Sequence, residues 1–301
     1  MERATRAIID LNAIGSNVAA VRNIIGSERD LMAVVKADAY GHGALEVSRT
    51  VLNNGATCLG VALPEEGETL RTHGIHVPIL VLGLIHPGEV FKVVQARLEQ
   101  TLCTLETAEA LDQAARASSK TIDVHIKVDT GMGRIGIHPH EVLDFIHRIN
   151  RFKNLRLKGI FSHLPCADEQ DKSFTRGQIR LFRDLLREIE ASGIKIPQKH
   201  LANSAGIMNF PESHFDLVRP GIMLYGLRPS PHVAHSVALK PAMTLKTKIA
   251  YVKQVSPGTP ISYGHTFCCD RQMVVATLPI GYADGYFRGL SNRGYAMIRN
   301  I

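Results

Sequence analysis

The chain has 301 residues, of which 45% are apolar and 21% are charged, and its formal net charge at pH 7 is +7. This balance excludes a disordered chain, and no apolar run approaches the roughly 18 residues that a membrane helix requires. Lysine and arginine are dispersed rather than clustered, so we predict neither nucleic-acid nor membrane binding. The five cysteines lack metal-ligand spacing and the N-terminus lacks a signal-peptide core, so we expect a cytoplasmic protein without a metal.

Short apolar runs alternate with amphipathic segments from residue 4 to about residue 240, at the spacing of β-α units. The predicted strands are residues 4–11, 31–36, 58–63, 79–82, 100–103, 122–128, 157–161, 200–202 and 217–219. The clearest predicted helices are residues 44–52, 107–117, 140–149 and 173–191. These elements predict a (β/α)8 TIM barrel. The strand candidates exceed by one the eight that close such a barrel, and the first is the candidate for a place elsewhere.

The pattern changes after Pro229-Ser230-Pro231. Residues 242–255, 261–263, 272–278 and 295–298 are rich in strand-forming residues and are separated by Pro-Gly, Asp-Gly and Asn-Arg-Gly turns. No amphipathic segment of helix length lies between them. We therefore predict a barrel domain over residues 1–234 and a β-rich C-terminal domain over residues 235–301.

The segment Val-Val-Lys-Ala-Asp-Ala-Tyr-Gly-His-Gly, residues 34–43, follows an apolar run and places Lys36 at the carboxyl end of a predicted strand. Parallel α/β folds carry their chemistry at that edge. Burial there disfavours the ammonium form, and a neutral amine can form a Schiff base with a carbonyl. A lysine that extends to solvent is the alternative interpretation of Lys36 alone. The whole segment closely resembles the pyridoxal phosphate attachment motif of the alanine racemase family.

This resemblance implies a fold, a cofactor and an activity. In that family the lysine carries pyridoxal 5'-phosphate, and the tyrosine that matches Tyr40 helps to hold the phosphate. The family interconverts L-alanine and D-alanine and so supplies D-alanine for peptidoglycan. Racemisation requires a base on each face of Cα, and Lys36 is our candidate for the face from which the D-alanine proton is taken.

A second motif, Lys-Val-Asp-Thr-Gly-Met-Gly-Arg-Ile-Gly, covers residues 127–136 after another predicted strand. Taken alone, it indicates a glycine-rich turn with an ion pair between Asp129 and Arg134. By resemblance it is the second racemase motif. Arg134 then reaches the phenolic oxygen of the cofactor and the carboxylate of the substrate, and Lys127 is a candidate for carbamylation.

Two further segments follow predicted strands in family order. His163 is a structural histidine if taken alone; by resemblance it belongs to the hydrogen-bond network of the active site. Asn203 and Ser204 lie at a predicted helix start, which suits either an ordinary N-cap or a bound phosphate.

The segment Arg219-Pro220-Gly221-Ile222 completes the predicted cofactor site. Gly221 and Ile222 match family residues whose backbone amides bind phosphate, and Arg219 matches the arginine that faces the pyridine nitrogen. A guanidinium does not readily give up a proton, so the ring stays largely neutral and delocalises a carbanion less. Such a site favours reprotonation at Cα over transamination.

The β-rich region carries the last two candidates. Tyr263, in Ser-Tyr-Gly, is most simply a packing residue of a strand, but by resemblance it is the second catalytic acid/base, serves L-alanine and comes from a partner subunit. The resemblance therefore implies a head-to-tail homodimer. Tyr282 matches a residue that lines the substrate entry.

The motifs extend from about residue 4 to the end of the chain, whereas family members continue further, so we expect an incomplete C-terminal domain. Three alternatives stay open: a pyridoxal-phosphate-binding homeostasis protein, a fold-related decarboxylase and an inactive truncated racemase. The decarboxylase would pair the pyridine nitrogen with a carboxylate rather than with Arg219. The choice between alanine and serine also stays open, because such discrimination rests on only about 1–3 kcal/mol of pocket geometry.

Overall fold

The computed structural model describes residues 3–234 and 237–298. These residues divide into two compact units, one within Asp10–Ala242 and one that combines Met1–Ile9 with Met243–Ile301. The sequence placed the boundary between residues 234 and 235. In the structure, residues 237–242 belong to the larger unit instead, and the N-terminal strand belongs to the smaller one.

The strands, in chain order, are β1 (Arg6–Ile9), β2 (Asp30–Val34), β3 (Cys58–Val61), β4 (Ile79–Val81), β5 (Glu99–Leu102), β6 (Ile122–Lys127), β7 (Leu155–Phe161), β8 (Gln198–His200), β9 (Leu217–Val218), β10 (Met243–Lys246), β11 (Tyr251–Val255), β12 (Pro260–Ile261), β13 (Phe267–Cys268) and β14 (Met273–Thr277). The helices are α1 (Leu11–Ile25), α2 (Lys36–Gly41), α3 (Ala44–Asn53), α4 (Pro64–Thr72), α5 (Val90–Gln95), α6 (Leu105–Ala117), α7 (Val142–Ile149), α8 (Ser173–Ala191) and α9 (Ser204–Asn209). Short 3-10 helices cover Pro87–Glu89, Pro139–Glu141, Pro211–Ser213, Ile222–Tyr225, Tyr263–His265, Tyr282–Asp284 and Arg288–Leu290.

The larger unit is a closed barrel in which β2 to β9 pair in sequence order and β9 returns to β2. All of these pairings are parallel. Helices lie between the strands, so the apolar runs are covered on both sides, as parallel strands require. The predicted TIM barrel is confirmed, and because the strands are parallel, their carboxyl ends meet at one rim.

The interior of the barrel is not uniformly apolar. Met32, Cys58, Leu80 and Leu217 form an apolar cluster, each at most 5% exposed. Charged and polar side chains from β5 to β9 and the segments after them are buried too: Glu99, Gln100, His125, Lys127, His200 and Arg219. Burying such groups costs free energy unless they are hydrogen-bonded or paired.

The smaller unit is β-rich, and its described strands form three antiparallel pairs. In one of them β1 pairs with β10, Arg6 opposite Lys246, which explains why the sequence offered one strand more than the barrel uses. The other pairs are β11 with β14 and β12 with β13. The predicted strand at residues 295–298 is wrong, since those residues are irregular. The predicted β domain at the C-terminus is confirmed.

Among the described residues, no helix combines the length and the apolar character needed to cross a lipid bilayer.

Candidate active site

A cavity of about 630 Å³ opens at the carboxyl ends of the barrel strands. This volume suits a small cofactor with its substrate. Ten of the predicted site residues line it, namely Lys36, Tyr40, Lys127, Arg134, His163, Asn203, Ser204, Arg219, Gly221 and Ile222. The other two, Tyr263 and Tyr282, belong to the smaller unit, where their side chains are 78% and 60% exposed.

Lys36 begins a turn of unusual hand. The backbone leaves β2 at Val34, and Ala37, Asp38, Ala39 and Tyr40 all have φ between 51° and 54°. Residues 37–40 of the segment labelled α2 therefore form one left-handed helical turn without a glycine. It places Lys36 and Tyr40, four residues apart, on the lining of one cavity.

The tyrosine side of this turn packs on a second aromatic residue. The Tyr40 ring lies 5.0 Å from the ring of Tyr225, whose buried hydroxyl donates to the Val34 carbonyl at 2.9 Å. A Cβ atom on Gly221 would lie 2.9 Å from the Tyr40 hydroxyl oxygen, so glycine allows the phenol to approach the backbone there. Burial raises the pKa of Tyr40 and keeps its hydroxyl a proton donor.

Ser204 and Asn203 have different contacts. The Ser204 hydroxyl accepts from the backbone N–H groups of Gly221 and Met223 at 3.0 and 3.4 Å. Asn203 is the N-cap of α9: its Oδ1 accepts from Gly206 N at 3.0 Å, and its Nδ2 donates to the Leu164 carbonyl. Both Oδ1 and Nδ2 of the Asn203 side chain are thus hydrogen-bonded within the protein. The Ser204 hydroxyl instead lies beside backbone N–H donors at the cavity.

The second glycine-rich loop is shaped by Asp129. Its Oδ1 accepts from the backbone N–H groups of Gly131, Met132 and Gly133 at 2.8 to 3.1 Å. The alternative ion pair between Asp129 and Arg134 is absent from the described residues. Instead, the carboxylate folds the loop that presents Arg134 to the cavity, and the same backbone donors hold the pKa of Asp129 below its usual value despite burial.

Lys127 is 2% exposed, and its Nζ lies 4.6 Å from the centre of the Phe161 ring. Burial lowers the pKa of Lys127 well below its usual value, and the positive charges of Arg219 and Arg134 lower it further. The charged form is further disfavoured because no hydrogen bond from Lys127 Nζ to an acceptor occurs within the described part of the chain. The sequence did not single out Phe161, which also lies 5.1 Å from the Arg219 guanidinium.

A chain of hydrogen bonds runs behind Arg219. Its Nη1 donates to His200 Nδ1 at 2.7 Å, since a guanidinium has donors only. His200 therefore carries its proton on Nε2, which donates to His125 Nδ1 at 3.0 Å, and His125 Nε2 donates to Glu99 Oε2 at 3.0 Å. Lys158 pairs with the other Glu99 oxygen. This arrangement links the Arg219 charge to a buried carboxylate.

The electrostatics of Arg219 and His200 follow from this burial. Burial lowers the pKa of Arg219 to about 9, so the guanidinium is still protonated at neutral pH. Burial and the Arg219 charge hold the pKa of His200 well below its usual value. Arg219 Nη2 donates to the carbonyls of Ser162 and Leu201, which completes its set of acceptors.

His163 lines the cavity, and its pKa is well below its usual value because of burial and then of the Arg219 charge. Helix α8 supports this part of the rim: Gln178 Nε2 donates to the His163 carbonyl at 3.2 Å and to Thr130 Oγ1 at 3.3 Å. Thr130 in turn contacts the Ser162 hydroxyl at 2.7 Å. One buried amide therefore joins the loop that carries Arg134 to the end of β7.

Sequence reasoning missed several supporting residues, including His125, Glu99 and Tyr225. A signal for one of them was present. His125 stands two positions before Lys127, and alternate residues of a strand share a face, so the sequence places both side chains on the same face of β6. The partners across the barrel carried no comparable signal, because His125 and His200 are 75 positions apart.

The residues present suit a phosphate-bearing aldehyde cofactor. The Tyr40 and Ser204 hydroxyls and the backbone around Gly221 form a cradle that a Cβ atom on Gly221 would fill, and Lys36 supplies an amine to the same cavity. In the part of the chain that the structure describes, no three His, Cys, Asp or Glu side chains form a group that could hold a metal ion.

The chain matches two protein-family descriptions, "Alanine racemase, N-terminal domain" over residues 9–229 and "Alanine racemase, C-terminal domain" over residues 242–301. It is 46% identical over 297 residues to a curated "Alanine racemase" of Halothermothrix orenii, a match that covers 99% of this chain and 78% of that protein. A curated "Alanine racemase" of Methanococcus maripaludis is 45% identical, with 98% and 79% covered. Among solved structures, alanine racemase from D-cycloserine-producing Streptomyces lavendulae superposes with a TM-score of 0.94 at 36% identity, covering 100% of this chain and 80% of that chain.

Proposed function

Because this chain belongs to the alanine racemase family, we propose that it is an isomerase that interconverts L-alanine and D-alanine with pyridoxal 5'-phosphate as its cofactor. One observation supports this most strongly: Lys36, Arg134 and Arg219, which lie far apart in the sequence, line one cavity together with the phosphate cradle. The cavity therefore offers an amine, donors for a carboxylate and donors for a phosphate at once.

Each residue around the cavity has a task that its chemistry suits. When bound, pyridoxal 5'-phosphate supplies an aldehyde for amine attachment and a ring that withdraws electrons from the substrate. Tyr40, Ser204 and the backbone N–H groups of Gly221 and Ile222 hold its phosphate, and Asn203 fixes the start of α9 beside them. Because these donors come from three chain segments, they orient the ring as well as binding it.

Arg219 sets the electronic character of the site. Its guanidinium would face the ring nitrogen of the bound cofactor as a hydrogen-bond donor and would keep its own proton, because three protein acceptors and the chain to Glu99 stabilise its charge. The ring nitrogen would consequently stay unprotonated. A proton removed from Cα then returns to Cα rather than to another carbon, as racemisation requires.

Proton transfer needs a base on each face of Cα. Lys36 Nζ exchanges the proton on the D-alanine side and Tyr263 Oη exchanges it on the L-alanine side. Arg134 binds the substrate carboxylate, which fixes Cα between the two bases, and His163 supports the hydrogen-bond network. Carbamylation of Lys127, in which its neutral amine takes up CO₂ and releases a proton, would place a negative charge near Arg134 and Arg219.

Tyr263 and Tyr282 extend the proposal to a second subunit. Tyr263 lies in a 3-10 turn rather than in the predicted strand, and its exposed side chain is free to serve a site on another molecule. We propose that it reaches the cavity of a partner subunit in a head-to-tail homodimer, and that Tyr282 lines the substrate entry. The enzyme would work in the cytoplasm and supply D-alanine for peptidoglycan.

The test is exchange of the Cα hydrogen of L-alanine and D-alanine in D₂O, followed by NMR, with the purified chain and added pyridoxal 5'-phosphate. We expect exchange of both enantiomers and an absorption band near the edge of the visible range, both lost in Lys36→Ala. Exchange without inversion in Tyr263→Phe would support the two-base assignment. A chain that acquires the band but exchanges neither enantiomer would instead be a cofactor-binding protein, and a chain without the band would refute the role of Lys36.

A further inference from the structure

The left-handed turn after Lys36 requires an external constraint. For L-residues this conformation costs about 1–2 kcal/mol each relative to the right-handed one. Four successive residues without a glycine, Ala37 to Tyr40, adopt it here. The sequence of the turn does not favour this hand, so contacts from other parts of the barrel must hold it.

The carboxylate of Glu66 accepts a hydrogen bond from the backbone of the residue that directly follows Lys36. Glu66 Oε1 accepts from the Ala37 N–H at 2.5 Å, the first backbone donor after the lysine. Its other oxygen, Oε2, accepts from the N–H groups of Ala62 and Leu63 at 2.6 and 3.2 Å, just beyond β3. Hydrogen bonds to a charged acceptor are the stronger ones, so this carboxylate joins the ends of two neighbouring barrel strands firmly.

The far end of the turn is closed locally. Asp38 Oδ1 accepts from the N–H of Ala44, the first residue of α3, at 2.7 Å, and the Asp38 carbonyl accepts from Gly43 N. These bonds lie within the segment and move with it. Among the hydrogen bonds of the described residues, the bond from the Ala37 N–H to Glu66 is the one that joins the first peptide of the turn to the segment after β3.

We propose that Glu66 is a positioning residue of the active site, whose carboxylate holds the left-handed turn in the conformation from which Lys36 and Tyr40 reach the cavity. Glu66 does not line that cavity; it acts through the Ala37 peptide. The effect on turnover rests on the function proposed above, whereas the effect on the turn does not.

Glu66→Gln tests the contact with little change in shape. Glutamine serves at this position of a helix start as glutamate does, so α4 keeps its N-terminus. Its single carbonyl oxygen cannot satisfy both Ala37 and the donors beyond β3. In the chain without cofactor, we expect backbone amides of residues 37–43 to exchange with D₂O about tenfold faster, as loss of a charge-assisted hydrogen bond implies. The matched control is Glu68→Gln, an exposed residue of the same helix, which should leave exchange unchanged.

A second substitution separates strain from general damage. Ala37 is exposed and has φ of 51°, a conformation that glycine adopts without a Cβ penalty. Ala37→Gly should therefore restore most of the protection of residues 38–43 in the Glu66→Gln chain. Ala19→Gly, at an exposed site of the right-handed α1, should not. With pyridoxal 5'-phosphate, kcat for alanine should follow the same pattern while KM changes little.

Two results would overturn the proposal. One is unchanged exchange at residues 37–43 in Glu66→Gln. The other is that neither Ala37→Gly nor Ala19→Gly restores amide protection in the Glu66→Gln chain. Glu66 would then not act by opposing strain in the left-handed turn. If the unmodified chain does not racemise alanine, the proposed function fails, but the exchange measurement without cofactor still decides the role of Glu66.

Discussion

Acid should destabilise the barrel well before its carboxylates titrate, because His200 and His163 are held neutral inside it. Burial, reinforced by the Arg219 charge, keeps the pKa of both histidines well below the usual value. Their unfolded-state pKa is about 6.5. Below that pH the unfolded chain binds protons that the folded chain does not. The contribution of the two histidines to the free energy of unfolding is therefore fully present above about pH 6.5 and falls as the pH is lowered.

The magnitude follows from proton linkage. Between pH 7 and pH 5, a histidine that ionises only in the unfolded chain contributes a loss of about 2 kcal/mol, so the pair contributes about 4 kcal/mol. Urea unfolding of the chain without cofactor, followed by far-ultraviolet circular dichroism at pH 7, 6 and 5, measures it. We expect His200→Gln to be less stable at pH 7 but to lose about 2 kcal/mol less on acidification, whereas His147→Gln, at an exposed position of α7, retains the full loss. Equal pH dependence in His200→Gln and the unmodified chain would refute the neutral, buried assignment.

Three substitutions probe the supports of the site by urea unfolding at pH 7. Glu99→Gln removes the carboxylate that accepts from His125 and one of the two carboxylates that pair with Lys158, and should cost about 1–3 kcal/mol; a cost near zero would show that these groups are not desolvated. Gly159→Ala would place a Cβ atom 2.1 Å from His125 Nδ1, so we expect a loss of about 1–3 kcal/mol together with a changed His125 ¹⁵N NMR spectrum, and an unchanged spectrum would contradict this. Tyr225→Phe removes one hydroxyl donor to the β2 backbone and should cost about 1 kcal/mol, which a midpoint equal to that of the unmodified chain would disprove.

The barrel and the composition of its rim could be predicted because both depend on local pattern. Apolar runs of strand length separated by amphipathic helices have few stable assemblies, and a (β/α)8 barrel is one of them. Residues that directly follow such runs must then meet at one rim. This reasoning predicted that Lys36, Lys127 and His163 follow strands at one rim, and in the structure all three line the cavity there.

Features that depend on long-range contacts could not be predicted in the same way. The turn after Lys36 consists of Ala, Asp, Ala and Tyr, none of which favours the left-handed conformation over the right-handed one, and its hand is consistent with the distant acceptor Glu66. Likewise, β1 pairs with β10, more than two hundred positions away, as the Arg6–Lys246 register shows. Tyr263 was placed in a strand because its neighbours favour one, yet β12 ends at Ile261.

Two basic side chains that line the cavity, Arg219 and Lys127, have different surroundings. Arg219 has three protein acceptors and a hydrogen-bond chain that ends at the Glu99 carboxylate, so its charge is stabilised even at 4% exposure. Lys127, at similar burial, has no hydrogen-bond acceptor among the described residues, and burial, followed by the positive charges of Arg219 and Arg134, lowers its pKa well below its usual value. The higher intrinsic pKa of a guanidinium and its hydrogen-bond acceptors both favour the charged form of Arg219. Arg219 consequently stays protonated at neutral pH, whereas burial without an acceptor disfavours the charged form of Lys127.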